Sequence, residues 1–171
     1  MSDAIRIFTT GGTIDKLYFD AKSEFEVGAS LVGELLREAE VHAPFTVEAL
    51  MRKDSLDLTD DDRAQIRARV AAAAEARVII THGTDTIADT ARALAGIADK
   101  TIVLTGALHP ARFRHSDAEF NVGMAVAAVQ TCAPGVWITI NGRVFDGLKV
   151  RKNRDANRFE DCLEDSTWPD A

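Results

Sequence analysis

The sequence predicts an α/β protein with a doubly wound, mainly parallel sheet flanked by helices, of the Rossmann-like or flavodoxin-like type. Short apolar runs rich in β-branched residues alternate four times with segments of helical spacing. Polar motifs that contain glycine follow directly after these runs, which is the sheet edge where open α/β sheets bind ligands. We therefore expect a single domain over residues 1–171, with its site at the carboxyl ends of the strands.

The first strand is predicted to begin at Ile5 and to end near Thr9, where the chain runs into two glycines. Gly11 and Gly12 allow a tight turn and let a ligand approach the backbone closely. The hydroxyls of Thr10 and Thr13 are expected at the rim of this turn. An ordinary strand-to-loop turn with incidental threonines is an equally good interpretation of this stretch alone.

A long polar segment follows, from Thr13 to Gly28, and it contains Tyr18, the single tyrosine of the chain. Loops of this length without regular structure usually have a function or move. We therefore expect an irregular, mobile lid that orders over the substrate, with Tyr18 above it. The alternative is that Tyr18 is an amphipathic surface residue.

The remaining elements are justified by periodicity and by their end signals. Residues 59–75 form the clearest helix, because Thr59 is a suitable N-cap and three aspartates occupy the first turn. The Asn141-Gly142 pair is a strong hairpin signal and gives the domain a C-terminal hairpin. The charged tail from Arg151 is predicted to be mostly solvated surface. The other predicted helices are 30–39, 87–95 and 119–131, and the other strands are 45–51, 78–81, 101–104, 135–140 and 143–145.

A second glycine-threonine motif, His82-Gly83-Thr84-Asp85-Thr86, follows the strand that ends at Thr81 and precedes a predicted helix. A helix N-terminus offers free amide groups and a positive dipole end, which suit a carboxylate or a developing oxyanion. Thr and Asp are also common helix caps. Two such motifs at strand ends in one short chain favour a functional site over two idle caps.

The segments Thr10-Gly11-Gly12-Thr13-Ile14 and His82-Gly83-Thr84-Asp85-Thr86 resemble the two signature motifs of the bacterial-type L-asparaginases, the threonine amidohydrolases. The resemblance runs from about Ile5 to about Lys152. It also includes Asp54-Ser55 and Asp146-Gly147. The family normally has a C-terminal α/β domain of comparable size, so the resemblance implies a short form in which that domain is absent.

The resemblance implies a role for each catalytic residue. Thr13 is the attacking threonine, and Thr84, Asp85 and Lys152 form the activating triad. Tyr18 is the loop tyrosine that completes the site. Amide hydrolysis needs these parts, because a threonine hydroxyl is a poor nucleophile without a base nearby. The sequence leaves open which of the two threonines acts first.

The resemblance also selects the lysine and the oxyanion donors. Lys152 follows Asp146-Gly147 at the family's spacing, and Lys149 is the second candidate. The backbone amides of the Gly12-Thr13 and Gly83-Thr84 turns are the expected donors to the oxyanion.

Substrate binding is implied for the residues around the second strand end. Ser55 and Asp85 would hold the α-carboxylate and the α-ammonium group of the amino acid. The family usually has glutamine or a similar polar residue where this chain has Leu56. Because of this departure, Asp54 or Asp57 is an alternative residue for binding the α-ammonium group.

Composition excludes several other classes of function. The net charge is −7 and the sequence pI is about 5.1, which argues against a nucleic-acid or anionic-membrane surface. No apolar run approaches the ~20 residues of a membrane span, and no signal peptide is recognisable. Cys132 and Cys162 have neither a disulfide nor a metal pattern, which favours a reducing cytoplasm. The histidines also lack metal-ligand spacing, so we expect no metal and no cofactor.

The resemblance therefore implies an L-asparaginase that converts L-asparagine into L-aspartate and ammonia through an acyl-enzyme, as a homodimer or homotetramer. Three alternatives remain. They are an ammonia-supplying component of a tRNA-dependent amidotransferase, a catalytically silent amino-acid-binding module, and a nucleotide-binding domain. The last is disfavoured because Gly11-Gly12 is followed by Thr-Ile-Asp, which matches no phosphate-binding glycine motif.

Overall fold

The fold was analysed in a computed structural model that describes residues 3–19 and 24–162. Ten strands and four α-helices lie in these residues, together with short 3₁₀ turns at Thr13–Asp15 and Ser55–Asp57. In chain order the elements are β1 (Ile5–Gly11), β2 (Lys16–Phe19), β3 (Glu24–Val27), α1 (Val32–Glu38), β4 (Phe45–Lys53), α2 (Asp60–Ala72), β5 (Arg77–Thr81), α3 (Ile87–Ala93), β6 (Thr101–Thr105), α4 (Ala118–Thr131), β7 (Gly135–Ile140), β8 (Arg143–Asp146), β9 (Val150–Asn153) and β10 (Arg158–Asp161).

The central sheet has six strands in the order β4-β1-β5-β6-β7-β8. The first five run parallel, and β8 returns antiparallel to β7. Thr81 lies opposite Thr9 on one side and Thr105 on the other, and Thr105 lies opposite Thr139. The parallel strands therefore end at one level. The predicted α/β sheet, with its C-terminal hairpin, is confirmed.

Two apolar layers cover the two faces of this sheet because neighbouring strand residues point to opposite sides. Ile80 packs in the layer that contains α2 and α3, whereas Ile79 packs in the layer that contains α1 and α4. Both isoleucines are fully buried. Helices on both faces leave the carboxyl edge of the strands as the place where loops converge.

The segment from Thr13 to Gly28 corrects the prediction of an irregular loop. After the 3₁₀ turn, β2 and β3 form an antiparallel hairpin in which Tyr18 lies opposite Phe25. The Gly28 amide donates to the Asp15 carbonyl at 2.8 Å and closes the base of the hairpin. The predicted ordering over a substrate stays a prediction, because residues 20–23 and the side chain of Tyr18 lie outside what the structure describes.

The charged tail is a second correction. Residues 150–161 are not simply solvated surface, since β9 and β10 form an antiparallel hairpin. Val150 and Phe159 are buried, and the Phe159 ring centroid lies 6.2 Å from that of Phe145. Two buried apolar residues hold this hairpin against the sheet, and that contact places Lys152.

Within the described residues, no helix has the length and apolar character needed to cross a membrane.

Candidate active site

The turns after β1 and β5 are in direct backbone contact. A Cβ atom on Gly12 would lie 2.4 Å from both the Cα and the N of Gly83, so only glycine fits. Gly12 also has a φ of +83°, in the region that glycine adopts most readily. Its amide donates to the Lys53 carbonyl at 2.9 Å, which ties this turn to the end of β4. This contact places Thr13 beside the turn that contains Thr84.

Ser55 lies on the other side of Gly83. A Cβ atom on Gly83 would lie 2.5 Å from both Cβ and Oγ of Ser55. The Thr86 hydroxyl donates to the Ser55 carbonyl at 2.7 Å. Three of the predicted strand-end motifs, from β1, β4 and β5, therefore meet at Gly83, as the parallel sheet requires.

Lys152 reaches this point from β9. Its Nζ lies 2.8 Å from Oγ1 of Thr84 and 2.8 Å from Oδ1 of Asp85. Thr84 is buried and the Lys152 side chain is only 10% exposed, whereas the Asp85 side chain is 36% exposed. The structure thus brings together the hydroxyl, amine and carboxylate that were predicted to form the triad. Lys149, the second candidate, is exposed in the turn before β9.

A buried histidine fixes the backbone beneath Thr84. His82 is fully buried, with Nδ1 2.8 Å from the Gly83 carbonyl and Nε2 2.8 Å from the Thr90 hydroxyl. A carbonyl can only accept, so Nδ1 carries the hydrogen and Nε2 accepts from Thr90. Burial lowers the pKa of His82 to about 4, which keeps the ring neutral near pH 7. His82 therefore links the Gly83 turn to Thr90 in α3 through its two ring nitrogens.

Thr10 and Thr13 differ in their environments. The Thr10 hydroxyl is buried and donates to the Thr81 carbonyl at 2.9 Å, so it joins β1 to β5 and does not lie at the rim. Thr13 is partly exposed in the 3₁₀ turn that follows Gly12. Of these two hydroxyls, that of Thr13 is therefore the one available to a substrate.

A buried carboxyl group, that of Asp15, lies two residues beyond Thr13. Among the described residues, its Oδ1 atom has no hydrogen-bond partner. Burial raises the pKa of Asp15 to about 6, although the Ser30 hydroxyl and the charges of Arg52 and Arg112 oppose the rise. The burial of Asp15 was not predicted from the sequence, because an acidic side chain in a polar loop is normally solvated.

Asp15→Asn should make stability less dependent on pH. The native pKa lies above that of the unfolded chain, so ionisation of Asp15 costs stability as pH rises from about 4 to 6. The free energy of unfolding of the variant, relative to wild type, should increase by about 2–3 kcal/mol between pH 4 and pH 7. Urea titrations at the two pH values measure this difference, with the exposed Asp155→Asn as the control. An equal difference at both pH values would contradict it.

A cavity of about 670 Å³ lies elsewhere, between β8 and the hairpin of β9 and β10. Its lining includes Phe145 and Phe159 but none of Thr13, Thr84 or Lys152. In the part of the chain that the structure describes, no group of three or more His, Cys, Asp or Glu residues is arranged to hold a metal ion. The convergence of functional groups, not cavity volume, marks the candidate site.

A family model described as "Asparaginase, N-terminal" matches residues 4–161. The chain belongs to the asparaginase family. The matched residues include both glycine-threonine turns and Lys152, so the family assignment covers the whole convergence described above.

Individual relatives agree with this assignment. The chain is 30% identical over 164 residues to a glutaminase-asparaginase of Pseudomonas fluorescens, a match that covers 85% of the chain and 44% of the relative. It is 32% identical over 180 residues to a component of the glutamyl-tRNA(Gln) amidotransferase of Aeropyrum pernix, a match that covers 91% of the chain and 40% of the relative. The crystal structure of L-asparaginase I from Vibrio cholerae superposes with a TM-score of 0.81 at 28% identity. That superposition covers 94% of the chain and 52% of the V. cholerae chain. The chain spans less than half the length of the curated relatives that it matches first.

Two contacts at the site were not anticipated. The Lys16 ammonium lies 2.7 Å from Oδ2 of Asp54, and Thr86 holds the Ser55 carbonyl. Asp54 also accepts from the Leu56 amide at 3.2 Å, while Asp57 is exposed. The position of Asp54 directly before Ser55 was visible in the sequence, but its partner was not, because the pair spans 38 residues of chain.

Proposed function

We propose that this protein hydrolyses L-asparagine to L-aspartate and ammonia, with Thr13 as the nucleophile and without a metal. One observation carries the proposal. The Lys152 Nζ lies 2.8 Å from both the Thr84 hydroxyl and the Asp85 carboxylate, in a turn that abuts the Gly12-Thr13 turn. This arrangement supports nucleophilic amide hydrolysis, because it places a second hydroxyl with an amine and a carboxylate beside a partly exposed threonine.

In the proposed acylation step, the Thr13 oxygen attacks the side-chain amide carbon of asparagine. The amide carbonyl becomes an oxyanion, which backbone amides of the Gly12-Thr13 and Gly83-Thr84 turns stabilise. The Thr13 proton passes to the leaving nitrogen as the carbon–nitrogen bond breaks. Ammonia leaves, and the aspartyl group remains on Thr13 as an ester.

Deacylation uses water and the triad of Thr84, Asp85 and Lys152. Water attacks the ester carbon, the bond from that carbon to the Thr13 oxygen breaks, and aspartate leaves. The proton lost by the water is returned to the Thr13 oxygen through the hydrogen bonds of the triad. Asp85 orients the Lys152 amine and balances its charge, as the carboxylate does in other triads. The proposal makes Lys152 the proton carrier and Thr84 the contact between the amine and the reacting groups.

The amino-acid end of the substrate is assigned to Ser55 and Asp85. Ser55 is buried against Gly83, and Asp85 presents a partly exposed carboxylate that suits an α-ammonium group. The backbone of Gly12 and Gly83, which are in contact with each other, would border this end of the substrate. Tyr18 remains the proposed aromatic residue that closes over the substrate from β2.

Ammonia release by the purified protein tests the proposal. L-asparagine and L-glutamine are supplied separately, and ammonia is measured by a coupled assay with and without EDTA. We expect turnover with asparagine that EDTA does not change. Complete inactivity with both amides would contradict the proposal and favour a silent amino-acid-binding module.

The similarity to the glutamyl-tRNA(Gln) amidotransferase component supports a second candidate, an ammonia-supplying role in such a complex. A protein with this role would prefer glutamine and would need a partner chain. The net charge of −7 disfavours direct contact of this chain with tRNA. Glutamine turnover that exceeds asparagine turnover, and that rises when an amidotransferase partner is added, would favour this candidate.

We also propose that the protein is cytoplasmic and assembles as a homodimer or homotetramer. The two free cysteines, Cys132 and Cys162, suit a reducing compartment. Twofold association is the commonest arrangement of soluble oligomers. Light scattering at micromolar concentration should give a mass above that of the 18.6 kDa chain. A monomer mass would contradict the assembly.

A further inference from the structure

Lys16 and Asp54 form an ion pair beside the candidate site. Lys16 begins β2 directly after the turn that contains Thr13, and Asp54 directly precedes Ser55. The Lys16 ammonium lies 2.7 Å from Oδ2 of Asp54. Among the described residues, this ion pair is a side-chain link between the segment of the proposed nucleophile and the loop of the proposed substrate-binding serine.

The Asp54 carboxylate is shared between two tasks. Its Oδ1 accepts from the Leu56 amide at 3.2 Å and caps the turn at Ser55–Asp57, while Oδ2 receives the Lys16 ammonium. The two side chains are only 31% and 25% exposed, so solvent screens this pair less than a fully exposed one. Burial raises the pKa of Asp54, but the bonds from Lys16 and Leu56 outweigh it and hold that pKa below its ordinary value.

The opposite side of the Ser55 turn is fixed by packing. Gly83 leaves no space beside Ser55, and the Thr86 hydroxyl holds the Ser55 carbonyl. The ion pair acts on the side that faces β2. Because the Ser55 turn is fixed on both sides, its distance from Thr13 is fixed as well. That distance would set the space available to the amino-acid end of the substrate.

We propose that Lys16 and Asp54 are a positioning pair, which fixes the Ser55 turn relative to Thr13 and thereby sets substrate affinity. This inference rests on the proposed function for its substrate, but the structural part does not. It also disfavours Asp54 for binding the substrate ammonium group, because both of its oxygens are used, Oδ1 by the Leu56 amide and Oδ2 by Lys16. Asp85 contacts Lys152 through Oδ1 and is 36% exposed, so it remains the carboxylate for that group.

Lys16→Met and Asp54→Asn test the pair, since asparagine retains the cap of the turn and loses the charge. Each variant should raise KM for asparagine by about 5–20-fold and change kcat by less than about threefold. The pair touches no reacting atom, so only binding should suffer. The double variant should be no worse than either single variant, and Lys16→Arg should restore KM. Arg143→Met is the control, because it breaks an ion pair that lies away from the site, in which Arg143 is 2.7 Å from Asp161.

Hydrogen exchange gives a readout that does not need activity. Amides of the two linked turns, those of Gly12, Asp15, Asp57 and Leu58, are bonded within or between the turns. They should exchange about tenfold faster in both variants, with β6 and β7 unchanged. If exchange and KM stay at wild-type values, or exchange accelerates throughout the sheet, the inference is wrong. If wild type releases no ammonia but the turns still exchange faster, the proposed function fails and the positioning pair stands.

Discussion

Lys152→Met should lower kcat for asparagine by at least about 10³-fold while the protein remains folded. The Lys152 amine contacts both Thr84 and Asp85 at 2.8 Å, so its removal separates the hydroxyl from the carboxylate. Methionine keeps the length of the apolar stem. Circular dichroism and the urea midpoint should therefore show a native fold, and ammonia release under saturating asparagine measures the loss.

The variants Thr13→Ala and Thr84→Val should show losses of similar size, because these residues act as one unit with Lys152. The double variant Thr13→Ala/Lys152→Met should be barely worse than either single variant. Multiplication of the two losses would mean that the residues act independently. Near-normal turnover in Thr13→Ala would transfer the nucleophile assignment to Thr84.

Gly12→Ala should destabilise the protein by about 2–5 kcal/mol and reduce turnover by at least about 10²-fold. The new methyl group would lie 2.4 Å from the backbone of Gly83, and backbone cannot move aside as a flexible side chain can. The turns that contain Thr13 and Thr84 would have to separate. Urea denaturation and ammonia release measure the two effects.

Gly96→Ala provides a matched control for backbone strain. Gly96 has a φ of +77°, close to the +83° of Gly12, but a Cβ atom there would meet nothing within 4 Å. Its cost should be that of the left-handed conformation alone, about 1–2 kcal/mol, with turnover unchanged. Equal effects of the two substitutions would show that the contact between Gly12 and Gly83 is unimportant.

Much of the site was predictable because a parallel sheet brings strand ends together. Motifs after β1, β4 and β5 follow apolar runs in the sequence, and the observed register places those ends at one level. The glycines were readable as sites of close approach. The contact partners of those glycines were not, since Gly12 and Gly83 are 71 residues apart and only the fold shows that they touch.

Three features could not be predicted from the sequence for physical reasons. The hairpin of β2 and β3 looks like a polar loop, because its strands are only four residues long and contain charges. The hairpin of β9 and β10 depends on the burial of Val150 and Phe159, too few residues for a recognisable period. The burial of Asp15 follows from tertiary packing, which no local pattern reports. Lys152 was selected by the family resemblance alone. Its contacts with Thr84 and Asp85 depend on the hairpin of β9 and β10, which the sequence did not predict.

The location of the acyl group tests the central claim most directly. Wild-type protein is mixed with L-asparagine, quenched rapidly in acid and digested, and the peptides are analysed by mass spectrometry. We predict an added mass equal to asparagine less ammonia on the peptide that contains Thr13, and none on the peptide that contains Thr84. An adduct on the Thr84 peptide instead would contradict the proposed mechanism.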